Sequence, residues 1–177
     1  EGASHLSDCD PNMDTCRRVV ALIAYVVTIV PLAAQSPTPY QRLGRDVLKE
    51  LIETDTTHST GSTTVAAEKM AARLVAAGFP KADVVVVGGS QKGAETRGNL
   101  VARYRGTGGR KPLLFIAHLD VVEARREDWS MDPFVLNEKD GYLYGRGTID
   151  VKGGAATLVA AFARLRQEQW VPDRDLI

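Results

Sequence analysis

An α/β layered domain with a mixed sheet and helices on both faces is the fold class the sequence predicts. Three observations predict it. Apolar residues recur at helical spacing in three stretches. Short β-branched or apolar runs lie between those stretches. Turns rich in Gly, Ser and Asp separate the two kinds of segment. Helix-period and strand-period segments that alternate in this way pack as layers, because each must bury one apolar face against the other. The 177 residues suffice for one domain with a real core.

Taken in order, the first helix is expected over residues 40–53, where Leu43, Val47, Leu48, Leu51 and Ile52 form one apolar face. Residues 54–64 (TDTTHSTGSTT) form a polar loop. Thr64 with Glu68 approximates a capping box for a second helix that runs to Ala77. Its apolar stripe is Ala67, Met70, Ala71, Leu74 and Val75, and Gly78 sits where a left-handed helix stop belongs. Residues 82–87 (ADVVVV) and 99–105 (NLVARYR) read as strands. A turn over residues 106–109 is expected to pair the second of these with the next strand in a hairpin. That next strand, residues 113–117 (LLFIA), is apolar without alternation, the mark of a central strand buried on both faces. Asp140-Gly141 signals the turn of a small hairpin between 135–139 and 142–144. Helix returns from Gly153 to Gln169, with Leu158, Val159, Phe162 and Leu165 inward. Residues 175–177 enter a further strand, and there is no internal repeat.

The N-terminal part reads differently. Residues 1–12 are polar and patternless, an upstream leader outside the fold. Residues 13–35 combine Arg17-Arg18, an uncharged apolar run and the small residues Ala33-Ala34, the anatomy of an export signal peptide. The run from Val19 to Leu32 is about 14 residues, shorter than the roughly 20 that span a bilayer. An uncleaved anchor and a buried core helix are the alternatives. The domain proper is expected over residues 36–177. Cys9 and Cys16 both precede the apolar run, so that segment relies on neither disulfides nor thiol chemistry.

Lys+Arg and Asp+Glu are equal at 22 each, so no basic excess points to nucleic acid. Chemistry must come from local residues. His118 follows directly on the 113–117 strand, and ligands of open α/β sheets bind beyond strand carboxyl ends. Asp120 can accept that ring's other N–H and fix its tautomer. Alone, these two residues read more simply as a hydrogen-bonded structural His with a nearby solvated Asp. Asp150 follows the turn Gly145-Arg146-Gly147 and precedes a helix. It can serve as a carboxylate bridging two divalent ions or as a helix N-cap; spacing leaves both open.

Three segments together carry a resemblance. HLDVV (118–122), WSMDPF (129–134) and DGYLYGRGTIDVKGG (140–154) resemble, in order and spacing, the zinc-dependent aminoacylase/carboxypeptidase family. That family includes acetylornithine deacetylase, succinyl-diaminopimelate desuccinylase, glutamate carboxypeptidase and related dipeptidases. Residues 58–79 are similar to its N-terminal region, so the resemblance covers residues 40–177.

The resemblance implies the N-terminal part of a co-catalytic zinc exopeptidase-like domain, with the family's lid domain absent. It implies that His118 ligates one zinc ion, that Asp150 bridges two, and that Asp120 is the catalytic-site acid orienting His118. Co2+ or Mn2+ are alternatives to zinc. A Glu-Glu pair supplying the general base and a further ligand is expected beyond Ile177, so the chain alone is expected to be inactive. The implied reaction is hydrolysis of a small peptide or N-acyl amino acid by water shared between the metals. Homodimerisation through the lid is implied too. A binding or regulatory relative that keeps the fold without catalysis is the alternative.

The remaining candidates carry less. His58 reads as solvated or structural. Lys152-Gly153-Gly154 lacks the frame of a phosphate loop. Arg146 reads as a brace for its turn, Trp129, Pro133 and Phe134 as loop packing, and residues 125–128 as a solvated charge run. Glu123 stands where the family often has Pro.

Overall fold

The computed structural model describes residues 36–89 and 92–177. The expected leader (1–12) and signal peptide (13–35) lie outside the described residues. The elements below all belong to the compact unit Pro37–Ile177.

Helix α1 (Pro39–Ile52) starts where local chemistry permits it. Thr38 caps it, its hydroxyl accepting from Gln41 N at 3.2 Å while Gln41 Oε1 accepts from Thr38 N at 2.7 Å. Pro39 occupies the first helical position, where a missing N–H costs nothing. Helix α2 (Thr63–Ala76) begins earlier than expected. Its cap is Ser62, which accepts from Val65 N, and not Thr64. The Thr64 hydroxyl instead donates to Glu95 O and accepts from Gly98 N, fixing the loop opposite. A capping hydroxyl must stand outside the helix, and here two loop partners draw Thr64 into the first turn. Gly78 stops the helix with φ +99°, as expected.

Strands β1 (Val84–Val87) and β2 (Asn99–Ala102) pair antiparallel, with Val84 opposite Ala102. The expected hairpin between residues 99–105 and 113–117 does not form. Residues 175–177 run between them: Leu176 bridges Tyr104 antiparallel and Leu113 parallel. Tyr104 and Leu176 exchange backbone bonds of 2.8 and 2.9 Å, and Phe115 N donates to Ile177 O at 2.7 Å. Arg103 adds an ion pair to Asp175, whose carboxylate also accepts from Gly106 N at 2.8 Å. This ion pair lies alongside the backbone bonds that make the C-terminal segment, and not the sequence-adjacent one, the neighbour of residues 103–104. The mixed character of the sheet therefore stands, with a different strand order.

Residues 113–117 are also not buried on both faces. Leu114 is 66% exposed and Ile116 82%. The three helices pack on one face only, and among the described residues nothing covers the other, where Val85, Val87 and Val101 are also exposed. The expectation of helices on both faces is met on one.

Helix α3 (Lys152–Gln167) lies against α1. Its inward face is richer in alanine than expected: Ala155, Ala156, Ala160 and Ala163 are buried with Phe162, while Val159 and Leu165 are only partly buried. Small side chains let the two helix axes approach, and Gly44 of α1 faces Ala160 directly. Val47, Leu51, Ala66 and Met70 complete one core cluster. Phe79, Tyr104 and Phe162 form a second, with Phe79 and Tyr104 edge to face at 5.3 Å. A separate hairpin, β3 (Asn137–Lys139) and β4 (Tyr142–Tyr144), turns at Asp140 and Gly141, both with positive φ, as the Asp-Gly signal predicts. No helix among the described residues is long and apolar enough to cross a membrane.

Candidate metal centre

His118 stands at the carboxyl end of the segment that Ile177 and Asp175 hold in register through Leu113 and Phe115. Asp150 arrives from the opposite direction, on the turn entering α3. Thr148 N and its hydroxyl both bond back to Gly145 O, at 3.3 and 3.1 Å, and Lys152 N donates to Gly147 O at 2.9 Å. Gly147 has φ +87°, and a Cβ there would meet Val121 Cγ1 at 2.7 Å. The turn therefore packs directly on the chain just after His118 and needs glycine to do so.

The two elements bring His118 Nε2 and Asp150 Oδ1 to 3.0 Å, across 32 residues of sequence. On the other side of the ring, Nδ1 lies 3.0 Å from Asp120 O and 3.3 Å from Asp120 Oδ1. Asp120 thus orients the ring from behind while Asp150 faces its free nitrogen. The alternative role for Asp150 does not hold: α3 has Val151 at its N-cap and no side-chain cap bond. The three side chains are open to solvent, Asp150 at 89% exposure and His118 at 47%. Hydrogen bonding to Asp150, then to Asp120, raises the His118 pKa above its ordinary value of 6.5 against the opposing effect of burial.

Neutral imidazole nitrogen and carboxylate oxygen are the donor types that zinc takes, and two such donors on one tetrahedral zinc stand about 3.3 Å apart. The 3.0 Å separation of Nε2 and Oδ1 fits that spacing. Among the described residues no group of three or more His, Cys, Asp or Glu converges on one point. A cleft of about 450 Å³ opens beside His118 and Asp120, with Thr57, His58 and Arg97 on its polar wall and Phe115 and Phe162 on its apolar one.

The lesser candidates fall into place. Arg146 stacks over Trp129 at 5.1 Å and donates to Glu123 O at 3.3 Å, so it braces the turn as expected. Pro133 is fully buried, and Arg146 N donates to its carbonyl at 2.6 Å. Residues 126–128 form one exposed 3-10 turn. His58 is exposed, its Nδ1 3.2 Å from Arg97 Nη2. Glu123 has a use of its own: its carboxylate accepts from Ser59 N at 3.0 Å.

Two residues escape sequence reasoning. Lys152 is fully buried, its Nζ donating to Leu51 O at 2.7 Å and Thr54 O at 2.9 Å. Burial pushes its pKa down to about 8, with the Asp55 charge opposing. Thr56, also buried, donates through Oγ1 to Leu119 O at 2.7 Å. A lysine at a helix start and a threonine in a Thr-rich loop look like surface residues, and no periodicity distinguishes them.

The chain is similar to known proteins in this region. A family model described as Peptidase family M20/M25/M40 matches residues 114–177. The chain is 45% identical over 80 residues to a probable succinyl-diaminopimelate desuccinylase of Staphylococcus aureus (strain MRSA252), covering 44% of this chain and 19% of that protein. It is 47% identical over 75 residues to the protein of the same description from Staphylococcus epidermidis (strain RP62A), covering 41% of this chain and 18% of that one. The solved structure of human carnosine dipeptidase 1 superposes with a TM-score of 0.54 and 25% identity, over 77% of this chain and 32% of the dipeptidase. The chain thus spans under a fifth of the length of these curated relatives and about a third of the dipeptidase. Residues 114–177, which hold His118, Asp120 and Asp150, are the stretch in which the chain is similar to the Peptidase family M20/M25/M40.

Proposed function

We propose that this chain is part of a metal-dependent hydrolase of amide or peptide bonds, in which His118 and Asp150 hold zinc and Asp120 orients His118. The approach of His118 Nε2 to Asp150 Oδ1 at 3.0 Å carries the reading. Two segments far apart in sequence spend exposed side chains on each other, where no fold requirement demands it. When bound, zinc supplies Lewis-acid polarisation of an amide carbonyl and activation of water near neutral pH. This chain's own residues do the rest of what can be assigned. Asp120 holds the ring so that Nε2 faces Asp150, and the metal competes with a proton for that nitrogen.

Substrates of the class named for the relatives fit this reading: an N-acyl amino acid or a dipeptide, entering the cleft beside His118. Co2+ or Mn2+ can take the place of zinc on the same donors. The apolar run from Val19 to Leu32 supports export of the domain, and the lid of the complete protein is the surface for homodimerisation. In the full-length protein, His118→Ala is expected to lower bound zinc by at least one ion and to abolish hydrolysis of succinylated and dipeptide substrates. Full zinc content by elemental analysis in that variant overturns the assignment.

A further inference from the structure

The two segments that carry His118 and Asp150 are tied to each other by a closed ring of contacts, and the polar loop after α1 closes it. Thr56, 1% exposed, grips the His118 segment on both sides of Asp120. Its hydroxyl donates to Leu119 O at 2.7 Å, and its carbonyl accepts from Val121 N at 3.2 Å. Val121 is the side chain against which Gly147 of the Asp150 turn is packed, so closely that no Cβ fits. Gly147 lies in turn against the stem of Lys152, whose Cδ and Cγ would be 3.2 and 3.3 Å from a Cβ at that position. The Lys152 ammonium returns to the start of the ring, donating to Leu51 O and to Thr54 O, two residues before Thr56.

Lysine is among the residues least often fully buried, and burying its charge costs free energy unless donors and acceptors match. Leu51 O, in the last turn of α1, accepts from Thr54 N at 3.3 Å, keeps a second lone pair for the ammonium and carries the negative end of the helix dipole, so it meets that requirement together with Thr54 O. A surface lysine or a water could satisfy them equally well. Only a buried one arriving from residue 152 also fixes the position of the Asp150 turn. Asp55 stiffens the loop at the centre of the ring, accepting from Thr57 N and the hydroxyls of Thr57 and Thr60.

We infer that Thr56 and Lys152 are positioning residues that set the separation of His118 and Asp150, and through it the affinity of the metal centre. This inference rests on the assignment of those two residues as metal ligands. The test uses the full-length protein stripped of metal, and reads the zinc dissociation constant by competition with a chromophoric chelator together with the visible spectrum of the cobalt-substituted form. Thr56→Val keeps the shape and removes the hydroxyl; Thr56→Ser restores it. Thr56→Val is expected to weaken zinc binding about tenfold or more, the usual effect of removing a group that orients a ligand, and to shift the cobalt bands. Thr56→Ser is expected to match the parent in both. If Thr56→Val lowers the melting temperature and leaves zinc affinity and cobalt bands unchanged, Thr56 is structural only and the inference falls. Should Thr56→Val fail to fold, Lys152→Met decides on the same two readouts. Retained zinc affinity in His118→Ala is a separate result: it overturns the ligand assignment itself, whatever Thr56 does.

Discussion

His118 sits between two carboxylates with different tasks, and its protonation reports on both. Asp150 faces Nε2 and Asp120 faces Nδ1. Both favour the imidazolium, so without metal the ring titrates above 6.5. The pair therefore stabilises the metal-free fold fully below the ordinary histidine value, and that contribution is lost as pH rises through the raised one. Under the proposed ligation, proton and metal compete for Nε2, so metal binding is expected to weaken as pH falls through the same range. An NMR titration of the His118 ring in the metal-free chain is expected to give a midpoint above 6.5, and Asp150→Asn to bring it down. A midpoint unmoved by Asp150→Asn would show that the contact does not persist in solution. Nothing in the sequence near His118 distinguishes a ligand from a structural histidine. The proposal that it is a ligand rests on Asp150, whose carboxylate does not cap α3 and instead faces His118 Nε2 at 3.0 Å.

At the scale of elements, α1 and α3 form the platform behind the site. Their close approach depends on small residues, and Gly44 is one of them. It lies mid-helix, where glycine costs roughly 0.5–1 kcal/mol relative to alanine. An added Cβ would meet only Ala160 Cβ, at 3.9 Å, an ordinary contact. Gly44→Ala is therefore expected to stabilise the fold by about 0.5–1 kcal/mol in urea unfolding. Destabilisation would show that the two helices are closer than this contact indicates. The helix limits were legible because caps and periodicity are local: Thr38, Pro39, Gly78 and the Asp140-Gly141 turn all act within a few residues of themselves. The start of α2 was misplaced by one such signal, Thr64, whose hydroxyl is committed to a loop some thirty residues away.

For the molecule as a whole, two Arg–Asp pairs hold the sheet and its flanking turn. Asp83 lies at the entry to β1, and Arg105 donates to its carboxylate at 2.8 and 2.6 Å. Arg103 reaches across to Asp175. The Arg105 guanidinium holds the buried Asp83 carboxyl below the usual carboxylate range, against its burial. A depressed carboxylate gives stability that is present above its unfolded value, about 3.9, and lost as pH falls through the folded one. Asp83→Asn is expected to cost roughly 1–2 kcal/mol at neutral pH, with the difference from the parent closing in acid. A constant difference across that range would assign the loss to packing instead.

The sequence alone determined the helices, the Asp-Gly hairpin and the mixed α/β class, because caps, turns and periodicity are short-range properties of the chain. Only the tertiary structure decided which strand neighbours which, since Leu176 reaches both Tyr104 and Leu113 by pairing across more than sixty residues. It also decided that residues 113–117 carry an exposed face, and that a buried lysine and a buried threonine join the two halves of the site. Burial and long-range hydrogen bonding depend on what the rest of the chain brings alongside, which no local pattern encodes.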